Sequence, residues 1–217
     1  MNRDKFKYYK NPREIFSLIE DRDWSVLLDS NQNKFTMQSF DIMTSDPTIK
    51  ISGRGEESVV EDVKSKKHIK SDPISLLQEY MKDSFNKDDS LPFTGGAIGF
   101  LSYDQGNLYE RIDQKKDDFD IPYIAFGIYD WAIIINHDAK ETILIYKNNT
   151  EIVNKIKNQL KSFEKETRTY HFEINSNYKS NLSYDEYVEK FNKIKSYIVE
   201  GDCYQINFSQ RFSLKYS

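Results

Sequence analysis

The hydrophobic residues of this chain follow two different spacings, one typical of amphipathic helices and one typical of strands. Four segments carry apolar residues three or four positions apart, which is the pattern of a helix with one buried face. Each of the four follows a residue that caps helices, and two have proline at the first helical position. The predicted helices span residues 12–20, 73–86, 151–163 and 184–200, with caps at Asn11, Asp72, Asn149 or Thr150, and Ser183.

Short runs of β-branched and aromatic residues predict strands between these helices. The predicted strands span residues 6–9, 24–28, 35–43, 48–51, 121–136, 142–146 and 170–174. Residues 121–136 are almost continuously apolar, which is typical of a strand that is covered on both faces in the middle of a large sheet. Residues 56–70 are strongly charged, and we interpret them as a solvated loop or short helix. The order of elements predicts an α+β fold with antiparallel sheets and packed helices.

Alternation of apolar and polar residues is clearest near the end of the chain. From Tyr204 to Tyr216 the even positions are aromatic or aliphatic except for Gln210, and the odd positions are polar. This pattern predicts a strand with one apolar face. Because no later residues are present to cover that face, we expect the chain to be the front part of a longer polypeptide or a truncated gene product. The alternative, in which the strand closes the sheet of its own domain, stays open.

The composition excludes several classes of function. The 217 residues include 31 lysines and arginines against 35 aspartates and glutamates, and no block of like charges could follow a phosphate backbone, so we expect no nucleic acid partner. No apolar run is long enough to span a membrane, and the basic, aromatic N-terminus does not resemble a signal peptide. We therefore expect a cytoplasmic protein. One cysteine and three histidines leave no internal disulfide and no spaced zinc set.

Glycine is concentrated in one short segment that contains Gly95, Gly96 and Gly99. Such density indicates backbone with positive φ or backbone that another group approaches closely. A phosphate-binding loop is excluded because no Lys-Ser or Lys-Thr pair follows and because the next residues have the pattern of a strand. Taken alone, the segment predicts the tight beginning of a strand.

Other candidate chemistry is sparse. Ser30 follows Leu27-Leu28-Asp29 at the end of a predicted strand, where a hydroxyl could meet a small ligand. Taken alone, the pattern favours Asp29 as a turn residue and Ser30 as a local cap. His137 is interpreted as a solvated turn residue. Cys203 follows a predicted helix C-terminus, which does not activate a thiol, and is interpreted as a packed side chain.

Three segments together resemble one family. Residues 92–104, Pro-Phe-Thr-Gly-Gly-Ala-Ile-Gly-Phe-Leu-Ser-Tyr-Asp, are similar to the glycine signature of the chorismate-utilising enzymes, which include anthranilate synthase component I and aminodeoxychorismate synthase component I. Residues 201–212 resemble the segment that opens the catalytic region of these enzymes. Residues 27–30, with Phe40-Asp41-Ile42 and Asp46-Pro47 downstream, resemble their N-terminal ligand pocket. The segment Cys203-Tyr204-Gln205-Ile206-Asn207 resembles the aminodeoxychorismate branch more closely.

The resemblance implies a fold, a reaction and a division into domains. Residues 1–180 would form the N-terminal domain of the family's two-unit αβ sandwich, and residues 181–217 would begin the chorismate-binding catalytic domain. In the reaction chorismate loses its 4-hydroxyl and gains an amino group from ammonia, which a glutamine amidotransferase partner supplies, while Mg²⁺ holds the chorismate carboxylate. The family's lysine nucleophile and acidic Mg²⁺ ligands lie beyond the segment matched by residues 201–212. The resemblance therefore places no catalytic or metal-binding residue in this chain, which we expect to be inactive alone.

The same resemblance implies a tryptophan pocket within the chain. Ser30 would contact the amino group or the carboxylate of tryptophan, and a strand of Met37, Gln38, Ser39 and Phe40 would form the wall against the indole. The family usually has arginine where this chain has Ser39, and often an aromatic residue where it has Met37. A bound carboxylate would then lack a charge-assisted partner on this strand.

Two alternatives to an aminodeoxychorismate enzyme stay open on the sequence. One is anthranilate synthase component I, whose product fluoresces without a downstream lyase. The other is a truncated, non-catalytic remnant that keeps the tryptophan pocket.

Overall fold

The computed structural model describes residues 1–31, 39–82, 90–110, 120–163 and 171–217. The chain divides into two compact units, Met1–Glu166 and Thr167–Ser217. None of the helices in these described ranges is both long and apolar enough to cross a membrane.

The first unit contains ten strands and a few helices in the described ranges. In chain order the elements are β1 (Asn2–Phe6), α1 (Pro12–Phe16), β2 (Val26–Leu28), β3 (Phe40–Thr44), β4 (Ile49–Arg54), β5 (Glu57–Asp62), β6 (Lys66–Lys70), α2 (Pro73–Met81), β7 (Gly96–Leu101), a 3-10 helix (Tyr103–Leu108), β8 (Ile124–Tyr129), β9 (Trp131–Asn136), β10 (Glu141–Tyr146) and α3 (Glu151–Lys161). They form two five-stranded antiparallel sheets, with strand orders β1-β10-β9-β3-β2 and β6-β5-β4-β8-β7. The predicted α+β class with antiparallel sheets and packed helices is confirmed.

The long apolar run is largely buried from Ile124 onward, as predicted, but it forms two strands rather than one, and Ile121 at its beginning is exposed. Residues 124–129 belong to the second sheet as β8 and residues 131–136 to the first as β9, with Asp130 between them. In β9, Ile133 and Ile135 join the core under α1 and α3, whereas Ala132 and Ile134 join a separate cluster. Because successive side chains of a strand point to opposite faces, both faces of β9 are covered. An apolar pattern alone could not reveal the change of sheet at Asp130.

The capping residues that begin the helices of this unit are confirmed. The side chains of Asn11, Asp72 and Thr150 accept hydrogen bonds from the backbone N–H groups of Arg13, Ile74 and Val153, at 3.1, 3.2 and 3.3 Å. Each cap satisfies a donor that the first helical turn leaves unpaired. Helix α1 is shorter than predicted and ends at Phe16.

The interpretation of residues 56–70 as a loop or short helix is wrong, because they form the hairpin of β5 and β6. Ser58 and Val60 are buried, whereas the residues between and beside them are more exposed. The Asp62 carboxylate accepts from the backbone N–H groups of Lys64 and Ser65, both at 2.7 Å, and so stabilises the turn. The lysines of β6 lie on an edge strand, where charge opposes pairing with another chain.

The second unit contains β11 (Lys179–Ser180), α4 (Tyr184–Glu200) and β12 (Phe212–Ser213) in its described part. The predicted capping box of Ser183 and Glu186 is present, and Gly201 ends α4 with φ of 83°. The predicted strand over 204–216 is wrong for 204–211, which belong to no strand. Residues 212–213 pair with β11, and Tyr216 forms an isolated antiparallel bridge with Ile174. A strand requires a neighbouring backbone, which the alternation of side chains does not supply. In the described structure Tyr204 is fully exposed and Phe212 is 59% exposed.

The Tyr129 hydroxyl bonds a backbone carbonyl 105 residues earlier in the chain, and its ionisation should make the free energy of unfolding depend on pH. This buried hydroxyl donates to the Trp24 carbonyl at 2.8 Å. Burial, followed by the charges of Asp23 and Asp46, raises the pKa of Tyr129 from 10.0 to about 12. The folded state therefore favours the neutral phenol, and its contribution to stability is complete below pH 10 and declines as pH rises from 10 to 12.

We expect Tyr129→Phe to lower the free energy of unfolding at pH 7 by about 1 kcal/mol, because the Trp24 carbonyl loses its donor. Between pH 10 and 12 the variant should lose less stability than the wild type, since one raised phenol is gone. Urea unfolding at pH 7, 10 and 11.5 measures both effects. Parallel pH dependences of the two proteins would contradict the assignment.

Candidate functional site

The glycine segment is confirmed as the tight beginning of a strand. Gly95 and Gly96 have φ of 93° and 135°, and β7 starts at Gly96. A side chain at Gly99 would meet the Ala125 carbonyl oxygen, and its Cβ would lie 2.6 Å from Phe126 Cα on the neighbouring strand β8. These glycines therefore permit a turn and a close approach of two strands, which explains the segment without a ligand.

Ser30 lies just after β2 and is held by one carboxylate. Its backbone N–H and its hydroxyl both lie 2.8 Å from Asp41 Oδ1, and both donate to it. Asp41 lies on β3 and is completely buried. Because β2 and β3 pair antiparallel, the end of β2 reaches the beginning of β3, where Asp41 is.

The Asp41 carboxylate also lies within hydrogen-bond distance of a ring nitrogen of His137. His137 Nε2 lies 2.5 Å from Asp41 Oδ2, and the histidine side chain is only 7% exposed. The other ring nitrogen, Nδ1, lies 2.8 Å from the Tyr8 hydroxyl. The interpretation of His137 as a solvated turn residue is wrong. The register of β3 against β9 brings the start of the turn after β9 next to Asp41.

The other predicted pocket residues divide into three groups. Ser39 joins Ser30, since the two hydroxyl oxygens lie 2.9 Å apart, and the Ser39 N–H donates to the Asp138 carboxylate at 3.0 Å. Phe40 packs against the cluster of Ala132, Ile134, Ile143 and Ile145, on the opposite face of the sheet from Met43. Met37 and Gln38 lie outside the described residues.

A cavity of about 410 Å³ adjoins the residues on either side of Ser30. Its lining is Asn11, Pro12, Arg13, Asp29 and Asn31. Arg13 Nε lies 4.0 Å from Asp29 Oδ2, so the cavity carries one cation and one anion. Across the described ranges, no group of three or more histidine, cysteine, aspartate or glutamate side chains could hold a metal ion.

The buried pair of Asp41 and His137 was missing from the residues proposed on sequence. One signal was available, because Asp41 is a carboxylate between Phe40 and Ile42 on a predicted strand. A charge at a buried strand position requires partners. The sequence could not show that His137, 96 residues later, is one of them.

Comparisons with known proteins identify the class of protein. The family model described as chorismate binding enzyme matches residues 25–217. Anthranilate synthase component I from Streptococcus pneumoniae TIGR4 has the same fold over 83% of this chain and 44% of its own, with a TM-score of 0.62 and 26% identity. The chain belongs to the family of chorismate-binding enzymes, and the resemblance described from its sequence is confirmed.

The curated relatives of this chain include two kinds of enzyme component. Aminodeoxychorismate synthase component 1 of Escherichia coli K12 is 33% identical over 93% of this chain, and that of Klebsiella aerogenes is 30% identical over 98%. Anthranilate synthase component 1 of Lactococcus lactis is 29% identical over 67%. This chain spans only 45% and 46% of the two aminodeoxychorismate synthase components, and it aligns with their N-terminal part.

Proposed function

We propose that this chain is the N-terminal part of an aminodeoxychorismate synthase component I. The whole protein would convert chorismate and ammonia to 4-amino-4-deoxychorismate, the precursor of p-aminobenzoate in folate synthesis, with ammonia from a glutamine amidotransferase subunit. The observation that carries this proposal is the similarity of 30–33% over 93–98% of the chain to proteins with that name. The sequence of residues 203–207, which resembles the aminodeoxychorismate branch of the family, supports the same proposal.

The chemistry is proposed to depend on residues that this chain does not contain. The proposed Mg²⁺ would be bound at the chorismate carboxylate, and the described residues offer no acidic cluster that could hold it. We therefore assign no catalytic step to residues 1–217. Their proposed contribution is the two-sheet scaffold and the ligand site at Ser30.

Purified residues 1–217 should show no aminodeoxychorismate synthase activity, because the nucleophilic lysine and the Mg²⁺ ligands are expected elsewhere. The assay supplies chorismate, Mg²⁺ and ammonia, with product detected after addition of aminodeoxychorismate lyase. Circular dichroism should show that the chain is folded, and the full-length protein serves as the positive control. Turnover by the folded chain alone would contradict the proposal that the catalytic residues lie outside residues 1–217.

We also propose that the Ser30 site binds tryptophan, as a structural or regulatory ligand. Ser30 and Ser39 lie together, and the adjoining cavity carries Arg13 and Asp29, whose opposite charges suit an amino acid. Arg13 would supply the guanidinium that the family has where this chain has Ser39.

Calorimetry on the full-length protein tests this site. Ser30→Ala should weaken tryptophan binding roughly tenfold, the loss of one hydrogen bond to a charged group. Ser75→Ala removes an exposed serine hydroxyl on α2 and should leave the affinity unchanged. Equal affinities of wild type and Ser30→Ala would remove Ser30 from the site.

A further inference from the structure

We propose that the Tyr8 hydroxyl is a nucleophile that takes an acyl group from an activated acyl donor, with His137 as its base and Asp41 as the residue that orients the base. The three side chains would form a covalent modification site. This site is independent of the proposed aminodeoxychorismate reaction and of the proposed tryptophan contacts.

The three side chains have the geometry of a nucleophile, a base and an orienting group. The Tyr8 hydroxyl lies 2.8 Å from His137 Nδ1, and His137 Nε2 lies 2.5 Å from Asp41 Oδ2. Proteins activate hydroxyl groups by placing them within about 3 Å of a base that a third group holds from its other side. His137 is only 7% exposed and Asp41 is completely buried, so both are shielded from competing water.

Asp41 determines which ring nitrogen of His137 carries the proton. Its carboxylate also accepts from the N–H and the O–H of Ser30 at Oδ1. Hydrogen bonds donated to a carboxylate favour its ionised form, which can only accept. His137 Nε2 therefore carries a proton and donates it to Asp41. In the neutral ring Nδ1 then has no proton, so it accepts from the Tyr8 hydroxyl.

The Tyr8 hydroxyl needs this base, because it does not ionise by itself at neutral pH. Burial, followed by the charge of Asp41, raises the pKa of Tyr8 above its ordinary value of 10.0. The proton must therefore leave while the new bond forms, and His137 Nδ1 is placed to take it. The neighbouring Tyr9 is the contrasting case, because its hydroxyl donates to the Leu160 carbonyl, which is not a base.

A cavity gives a reagent access to Tyr8. The Tyr8 side chain is partly buried, and with Lys7, Tyr9 and Phe163 it lines a cavity of about 640 Å³, a volume that admits a small ester. Within the described residues, His137 is the only hydrogen-bond partner of the Tyr8 hydroxyl. The Tyr8 oxygen therefore keeps a lone pair for attack.

The step is a simple acyl transfer. Tyr8 Oη attacks the carbonyl carbon of the donor, so that a C–O bond to Tyr8 forms and the bond to the leaving group breaks. The phenolic proton passes to His137 Nδ1 and then to the leaving group. With 4-nitrophenyl acetate as the donor, the products are O-acetylated Tyr8 and 4-nitrophenol.

Labelling of the full-length protein with 4-nitrophenyl acetate at pH 7 tests the site. N-acetyltyrosinamide in the same solution is the reference for a phenol without a base. Peptide mass spectrometry should find Tyr8 acetylated at least tenfold faster than the reference, since a positioned base contributes about 10²- to 10⁴-fold and the raised pKa offsets part of this. Hydroxylamine removes acetyl groups from phenols but not from amines, and so distinguishes Tyr8 from Lys7. A rate no faster than that of the reference would overturn the proposal.

His137→Gln tests the base, because it keeps an N–H donor for Asp41 but has no basic nitrogen. Acetylation of Tyr8 should slow at least tenfold. His68→Gln makes the same exchange on the exposed edge strand β6 and should leave the rate unchanged. Circular dichroism shows whether each variant is folded. An unchanged rate at Tyr8 in folded His137→Gln would refute the role of the base.

Asp41→Asn tests the orienting residue. Because the Ser30 N–H must still donate to Oδ1, the new amide N–H faces His137 and favours the tautomer with its proton on Nδ1, which cannot accept from Tyr8. Acetylation should again slow at least tenfold, and ¹⁵N NMR of the imidazole should show the proton on Nε2 in the wild type and on Nδ1 in the variant. A proton on Nδ1 in the wild type would overturn the proposal even if neither variant folds.

Discussion

Replacing His137 with leucine should lower the free energy of unfolding by about 3 kcal/mol, the largest effect that we expect from a single side chain. The reason is that the fully buried Asp41 carboxylate would lose the donor at Oδ2 and keep only the two donors of Ser30. Leucine cannot donate a hydrogen bond, and the site is closed to bulk water. Urea unfolding of residues 1–217 at pH 7 measures the change.

The matched control for this substitution is His68→Leu on the exposed edge strand β6. Its effect should stay within about 0.5 kcal/mol, as for most surface substitutions. Adding Asp41→Asn to His137→Leu removes the stranded charge and should recover part of the lost stability. A loss in His137→Leu no larger than in His68→Leu would contradict a charged, buried Asp41.

Replacing Gly99 with alanine should also cost about 3 kcal/mol, at the upper end of the range for overpacked sites. The new Cβ would overlap the Ala125 carbonyl and approach Phe126 Cα to 2.6 Å, and both are backbone groups of the paired strand β8. Strand β8 pairs with β4 on its other side, so its backbone cannot move aside without breaking those hydrogen bonds, and the edge strand β7 must separate from it. Thermal or urea unfolding reports the loss.

Gly55→Ala is the comparison for this second prediction. Gly55 has φ of 57°, but no atom lies within 4 Å of an added Cβ. Alanine there should lower the free energy of unfolding only through its strained backbone conformation, by about 1 kcal/mol. Comparing the stability lost in Gly99→Ala with that lost in Gly55→Ala distinguishes the effect of steric contact between strands from the effect of backbone strain. Equal losses at Gly55 and Gly99 would show that steric contact between β7 and β8 is not the reason for glycine at position 99.

The features that the sequence predicted well are local ones. Helix caps such as Ser183 with Glu186 depend on residues three positions apart, so their chemistry is visible in a short segment. The burial of residues 131–136 was also predictable, because a run of isoleucines has few alternatives to a covered strand.

The features that the sequence did not predict depend on distant parts of the chain. The change of sheet at Asp130 is set by the strands that pair on either side of it. Residues 204–211 have the alternation of a strand, but pairing requires a neighbouring backbone. The hairpin of β5 and β6 was hidden by its charge, since only alternate residues of an edge hairpin need to be buried.

In the candidate site, too, the local features could be predicted from the sequence and the long-range contacts could not. Ser30 could be proposed from its own neighbourhood, at the end of a strand and in a motif that resembles a known pocket. The chain from Tyr8 through His137 to Asp41 joins residues that are 129 and 96 positions apart, and only the antiparallel sheet brings them together. The site therefore depends on sheet register more than on any local motif.

The central claim is that this chain belongs to an aminodeoxychorismate synthase component I and not to an anthranilate synthase component I. One assay of the product tests it most directly. Full-length protein is given chorismate, Mg²⁺ and ammonia, and the product is followed by fluorescence before and after aminodeoxychorismate lyase is added. We expect no anthranilate fluorescence at first, and p-aminobenzoate only after the lyase is present. Anthranilate fluorescence without the lyase would contradict the account and assign the chain to tryptophan synthesis instead.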